Sequence, residues 1–517
     1  MTNLNLLWRL KSFGDDMTKN TRLANYLLIT AFFTHPALAL DLYVDTETQQ
    51  IYAAPGNNRV KLGSFEKKED IDQLRATLKA EIEEELRLKQ TPQNNAPINK
   101  DPIALAQTIK TEEELAKESP TPKQNKGTIP ASVGYGKNGF EFRTEDNKFS
   151  LAIQNRIQAR YAEPFDSDPR TLADLNRDEN SFMIRRARTK LNGHAYFPWL
   201  KYYMQYDWSQ PVLRDLNLTV DKYKWAQVRV GRGKVSYNNE RVTSSGSQQF
   251  VNRSIVNDIF TVDRQQGLEV KGNLFPDTWY DLTYYFGVFS GLGVGERNND
   301  DGNMMYSGRL QWNVLGGEMK FSQSDLEFHE QPALNISLAA NTNTSKCTAF
   351  ETDSRSCRRL IDVNASGGAR YRDPSNTTAA GAQNGQYEIS QVMEEVNFKY
   401  KGFSLLHELH AKRIKDTLNN DEETKLLGGF VQAGYFPHRV INFIPSGVEV
   451  AGRYAFVDMD TDRDNDKQTE FSAVINYFLE GHFNKLSLQF SRLSVESPID
   501  QEKDFENRMW AQWDLSF

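Results

Sequence analysis

Long hydrophobic runs are what this sequence most lacks. Of its 517 residues 38% are hydrophobic and 25% charged, with a mean hydropathy of -0.64. A membrane-spanning helix needs roughly 20 consecutive apolar residues, and only Leu23 to Leu40 approaches that length. Helical spanning is thereby excluded for the body of the chain. Cysteine is almost missing: Cys347 and Cys357 stand ten residues apart in a polar stretch. In an exported chain they read as one disulfide pinning a surface loop. No histidine flanks them, and two thiolates alone make a poor metal site. A strong basic excess is absent as well, since the net charge is -7, which argues against a nucleic-acid partner. No metal and no cofactor are expected.

The Leu23 to Leu40 run follows Lys19 and Arg22 and ends in Ala37-Leu38-Ala39. That is the basic, apolar and A-x-A order of a secretory signal peptide, with cleavage expected after Ala39. Residues 1–39 are therefore assigned to targeting, with Met17 as an alternative start. Residues 40–90 read as a short hairpin, Leu42-Tyr43-Val44 with Gln50-Ile51-Tyr52, and then a helix. The helix is expected because Ile71, Leu74, Leu78, Ile82 and Leu86 recur every three or four residues. Its seam suits either a short coiled coil between subunits or a solvated helix against its own domain. Residues 91–139, rich in Pro, Asn, Gln and Lys, read as a linker.

What the chain has in abundance is alternation. At the C-terminus Met509, Ala511, Trp513, Leu515 and Phe517 alternate with Arg508, Gln512, Asp514 and Ser516, which puts an apolar row on one face of a strand and a polar row on the other. Similar stretches fall near 148–161, 181–196, 200–209, 214–222, 226–232, 267–274, 278–288, 305–314, 334–341, 387–400, 403–413, 427–436, 446–457, 468–479, 482–495 and 507–517. Sixteen is an even number, as a bacterial membrane barrel requires. Connections after odd-numbered strands are mostly long and those after even-numbered strands mostly short, although Leu315 to Ala333 breaks this rule and suggests a misplaced boundary. The counts of 21 Tyr and 30 Phe suit aromatic girdles at two interfaces. The expected fold is an all-β transmembrane barrel over residues 140–517, of about 16 antiparallel strands, preceded by a short helical, coiled-coil-like segment.

With the apolar rows outermost, parity places Gln154, Arg156, Gln158, Arg160, Arg186, Arg188, Lys190, Asn192, His194, Gln227, Arg229, Arg309 and Arg453 in the lumen. Rings of Arg or Lys are how pores favour anions. Asp207, Glu269, Asp281, Glu408, Glu449, Glu470 and Asp514 share that face, so arginine–carboxylate pairs bracing the wall are the alternative reading. Two further motifs carry less. Asp458-Met459-Asp460-Thr461-Asp462 matches the start of a calcium loop but has Arg463 where glycine is needed and Thr469 where glutamate is. It reads better as an outer loop bridged by divalent ions to lipopolysaccharide phosphates. His407-Glu408-Leu409-His410 falls on a strand, where its two histidines face opposite ways.

The run Gln227-Val228-Arg229-Val230-Gly231-Arg232-Gly233-Lys234-Val235 reaching Glu240, then Ser244-Ser245, Phe250-Val251-Asn252-Arg253-Ser254 and Asp263-Arg264-Gln265-Gln266-Gly267, resembles the phosphate-selective porin O/P family. Arg185-Arg186-Ala187-Arg188 and the terminal Phe517 support the resemblance. It implies a sixteen-stranded trimeric barrel in the bacterial outer membrane, with the third loop, Gly233 to Gln266, folded inward as the constriction. The candidate anion path is Arg229, Lys234, Glu240, Arg241, Arg253 and Arg264, with Arg156, Arg160, Arg186 and Arg188 on the wall. That loop offers one lysine, and Ser236 stands where the family commonly has proline. The expectation is a passive, non-enzymatic pore for small hydrophilic solutes that prefers anions, phosphate or related ions among them. Its neighbours would be outer-membrane lipid and lipopolysaccharide, with the N-terminal segment in the periplasm. The rivals are a lipase-type outer-membrane enzyme, which needs Ser, His and an acidic or amide partner on the outer rim, and a barrel serving as adhesin or receptor.

Overall fold

The computed structural model describes residues 40–45, 51–52, 59–65, 129–164, 172, 175, 179–294, 298–350, 357–358, 382–418, 420–497 and 501–517. The signal segment, the periodic helix of 69–90 and the linker up to residue 128 lie outside these residues. The chain divides into two compact units, 1–122 and 123–517. In the first, Leu40–Asp45 pairs antiparallel with Ile51–Tyr52 on one side and Arg59–Phe65 on the other, so the expected hairpin gains a third strand.

The second unit is a closed antiparallel barrel of sixteen strands. They are β1 (Phe149–Glu163), β2 (Ser181–Ala195), β3 (Leu200–Asp207), β4 (Val212–Tyr223), β5 (Ala226–Lys234), β6 (Arg264–Leu274), β7 (Leu282–Phe289) and β8 (Met305–Leu315). There follow β9 (Ala333–Ser345), β10 (Tyr387–Tyr400), β11 (Phe403–Asp416), β12 (Glu422–Tyr435), β13 (Val448–Asp458), β14 (Lys467–Glu480), β15 (Asn484–Ser497) and β16 (Glu502–Ser516). Each pairs with its neighbour in sequence, and β16 closes on β1 from Met509 opposite Glu163 to Ser516 opposite Arg156. Closure removes every open edge, which is what a sheet in hydrocarbon needs. A hairpin of Ala131–Gly136 and Gly139–Thr144 continues the sheet beside the first residues of β1. The sheet therefore starts upstream of residue 140, inside the stretch read as linker.

Every alternating stretch in the sequence corresponds to one of these strands. Tight turns close one end of the barrel, as at Lys401-Gly402, where φ of 49° and 81° meets the demand of a two-residue hairpin for left-handed backbone. The irregular segment 316–332 hides no strand. It rises into the barrel from the short-turn end.

Outer-face residues such as Leu218, Val230, Phe286, Leu310, Leu338, Phe471 and Trp513 are exposed, while Arg156, Glu269, Arg309, Glu408 and Asp514 on the lumen face are buried. One part of the lumen face is not polar. Ile389, Leu406, Leu426, Phe430, Val457 and Leu493 point inward and pack on Ile255, Val256, Ile259 and Phe260 of the third loop. At these positions the strands are apolar on both faces because a loop, rather than water, covers the inner one.

Candidate functional site: a constriction between an inward loop and a basic wall

The connection 235–263 between β5 and β6 folds into the lumen and carries two single-turn helices, α1 (Asn239–Val242) and α2 (Ile255–Phe260). A buried loop has unpaired backbone N–H groups to satisfy, and here wall carboxylates satisfy several. Ser236 N and Oγ donate to Glu269 at 3.1 and 3.0 Å. Asn239 N donates to Glu395 at 2.9 Å, Glu240 N to Glu408 at 2.8 Å and Ile255 N to Glu470 at 3.1 Å. Gln249 Nε2 reaches Glu449 at 2.6 Å. Charge-assisted bonds of this kind are stronger than neutral ones. Arg309 against Glu395 (2.8 Å) and Arg453 against Glu470 (2.5 Å) complete the same side.

Segment 316–332 meets the loop from the opposite end of the barrel. Gln323 accepts from Gln249 N at 2.7 Å and donates to Gln248 at 3.0 Å, and Ser324 Oγ donates to Glu449 at 2.9 Å. Lys399 Nζ holds it through Ser322 Oγ and the Ser324 carbonyl at 2.6 and 3.0 Å. Periodicity had no means of revealing this segment, because its fixed points are single polar contacts.

On the β1 to β6 side the inventory is different. Arg188 pairs with Asp207 at 2.6 Å, with Arg214 at 3.6 Å from the same carboxylate, and Arg264 pairs with Asp215 at 3.0 Å. Arg229 pairs with Glu269 at 3.0 Å, and Arg241 with Asp263. Among the described residues Arg156, Lys190, Lys234 and Arg253 meet neutral oxygens and no carboxylate. Arg156 donates to Ser244 Oγ (3.0 Å) and Ser245 Oγ (2.6 Å), and Lys190 donates to Gln154 (2.9 Å). Lys234 donates to the carbonyls of Val242 and Thr243 (both 3.0 Å), and Arg253 to those of Glu240 (2.9 Å) and Thr243 (3.0 Å). Burial, then the neighbouring Arg241, pushes the Arg253 pKa down to about 9, so the guanidinium stays charged at neutral pH.

The sequence-expected residues thus divide. Arg156, Arg188, Lys234, Arg241, Arg253 and Arg264 converge on the loop between Ser236 and Asp263, and Arg229 Nη2 joins them through the Lys234 carbonyl at 2.6 Å. Arg160, further along β1, also reaches the loop through Asn252 (2.8 Å) and the Val251 carbonyl, besides its bond to Gln512 (2.7 Å), while Arg186 donates to Gln158 at 3.1 Å. Glu240 is fully buried and turned into the loop, where it accepts from Ser254 N and Oγ at 2.7 and 2.8 Å. It braces the loop from within. Burial raises its pKa against the opposing pull of Arg453.

Cys347 is disulfide-bonded and buried beside Val235 and Tyr237 at the root of the loop. The chain's other cysteine, Cys357, lies in a two-residue strand that pairs with Ala349–Phe350. Ser150 Oγ and His194 Nδ1 are 2.7 Å apart on the lumen face, but His194 Nε2 meets the Asn147 carbonyl at 2.8 Å where a triad would have a carboxylate.

Two contributors escaped parity. Arg214 sits at a register shift, where Gln205 faces Asp215 and Tyr206 faces Leu213, so Arg214 and Asp215 both turn inward despite being adjacent. Gly246 gives no chemical signal at all.

Similar folds occur at low identity. OmpT of Vibrio cholerae in its trimer form is 7% identical with a TM-score of 0.46, over 71% of this chain and 99% of that one. An anion-selective porin from Comamonas acidovorans is 11% identical with a TM-score of 0.41, over 71% and 100%. The outer membrane channel DcaP of Acinetobacter baumannii is 9% identical with a TM-score of 0.43, over 73% and 99%. No curated protein matches the chain in sequence. A sequence profile described as phosphate-selective porin O and P matches residues 156–497, well over half the chain and including both the basic wall and the inward loop. The chain belongs to the phosphate-selective porin O and P family, whose members are β-barrel channels of the outer membrane.

Proposed function

We propose that this barrel passes small hydrophilic solutes passively and favours anions. The observation that carries the reading is the unequal use of charge around the loop. Arg156, Lys190, Lys234 and Arg253 have no carboxylate partner among the described residues, whereas Glu269, Glu395, Glu408, Glu449 and Glu470 are occupied in holding the loop. A permeating cation meets carboxylates already saturated with donors. A permeating anion meets charge that only neutral oxygens share. The long-loop end is assigned to the cell exterior, the short-turn end and residues 40–90 to the periplasm, and the helix of 69–90 to subunit association in a trimer. Lipid and lipopolysaccharide surround the outer face. No catalytic step is assigned.

Reversal potential in a planar bilayer under a potassium chloride gradient tests the preference. Arg156→Glu and Arg253→Glu should each lower the chloride-to-potassium permeability ratio, and the pair should invert it. Arg229→Glu should do less, because Glu269 already offsets Arg229. Unchanged selectivity in Arg156→Glu and Arg253→Glu would refute the assigned path. Phosphate added to the chloride bath separately tests for a dedicated phosphate site, which would block chloride current at low concentration.

A further inference from the structure

Arg156 owes its place to a gap in the loop. Its Nη1 donates to Ser244 Oγ at 3.0 Å and its Nη2 to Ser245 Oγ at 2.6 Å, and Arg188 Nη1 reaches that second hydroxyl at 3.2 Å. A hydroxyl oxygen has two acceptor positions, so Ser245 holds two guanidinium groups side by side. Asp207 offsets the charge of Arg188; among the described residues no ion pair offsets that of Arg156. The next residue is Gly246, buried against the same side chain. A Cβ there would stand 2.5 Å from Arg156 Nη1, 3.0 Å from its Cδ and 3.3 Å from its Cζ. The outer half of the arginine therefore fills the space that any other residue's Cβ would take.

We propose that Gly246 is a positioning residue for ion selectivity: its missing side chain seats the Arg156 guanidinium on Ser244 and Ser245, on the lumen face of the wall. The inference rests on the anion-preferring reading above. It differs from the usual reason for a glycine. Gly246 has no left-handed φ, so its backbone tolerates a side chain, and the atoms in the way are the far end of a flexible arginine. At Gly231 or Gly193 an added Cβ meets main-chain carbonyls at 2.4 and 1.9 Å, and the sheet itself must move. Gly246→Ala therefore shifts a charge without deleting it and without breaking the wall.

The test uses the full chain in planar bilayers under a potassium chloride gradient, comparing wild type, Arg156→Gln, Gly246→Ala and the double variant. Displacing one unit charge by a few ångströms beside a water-filled path should lower the chloride-to-potassium permeability ratio by about twofold. Arg156→Gln should lower it at least as much. The double variant should match Arg156→Gln alone, because a seat has no effect once its occupant is gone. Ser245→Ala, which removes the shared hydroxyl, should move the ratio in the same direction. Full Gly246→Ala and Arg156→Gln effects that add in the double variant would overturn the proposal, as would a Gly246→Ala ratio equal to wild type while Arg156→Gln lowers it. If Arg156→Gln itself leaves the ratio unchanged, the anion-preferring reading fails instead.

Discussion

The two sides of the lumen spend nearly the same residue types on different tasks. Around β8 to β14, carboxylates and arginines lie under the inward loop and bond to its backbone and to each other, as in Asn239 N to Glu395 to Arg309. Around β1 to β6, arginines outnumber the acids that could neutralise them, and serine, glutamine and carbonyl oxygens receive the surplus. On the proposed reading the first side is a mount and the second is a passage wall. Net charge therefore says little about such a pore. What matters is which charges are already engaged, since a carboxylate with several donors offers little to a passing ion.

The contrast breaks most visibly if the mount is damaged. Glu395→Leu strands a buried Arg309 and frees the Asn239 amide, and losing one member of a buried pair typically costs about 3–5 kcal/mol. A fall in the detergent melting temperature and a noisier open-channel current are expected; a melting curve equal to wild type would show that Glu395 does not hold the loop. A milder change sharpens the comparison from the other direction. Glu449→Gln keeps an oxygen that can accept from Asn476 and Ser324 and loses only the acceptor that faces Gln249, so selectivity should stay within experimental error of wild type. If it shifts as much as in Arg156→Gln, the division into mount and passage is wrong.

The smallest effect concerns a loop away from both sides. Burial first, and then Asp458, raises Asp466 from the ordinary carboxylate value of 3.8 to about 7. The folded state thus holds a proton that the unfolded state has released between those values. The stability of the 459–466 loop should then fall as pH rises from about 4 to about 7. Amide exchange of that loop would read this, and Asp466→Asn should flatten the dependence.

Much of the architecture was legible because period-two alternation is a local property. Strand number, closure and the inward set from Gln154 to Asp514 all follow from parity and from the exclusion of open edges. Parity failed where its premise did. At β10 to β15, Leu406, Leu426 and Phe430 are apolar yet inward, because α2 covers them. At the register shift beside Gln205, Arg214 and Asp215 share a face that strict alternation denies them. Segment 316–332 looked like a misassigned boundary because its long connection serves a purpose inside the lumen. Glu240 lay among the path candidates by sequence, and only its bonds to Ser254 show it as part of the loop's own framework.

Sequence by itself determined that this chain forms a closed barrel with arginines inside, since covalent geometry sends alternate side chains to opposite faces whatever else the chain does. Which of those arginines keeps its charge available was decided in three dimensions. Carboxylates from strands more than a hundred residues away are engaged by a loop that parity cannot place, and a missing methyl group at Gly246 sets where one guanidinium rests.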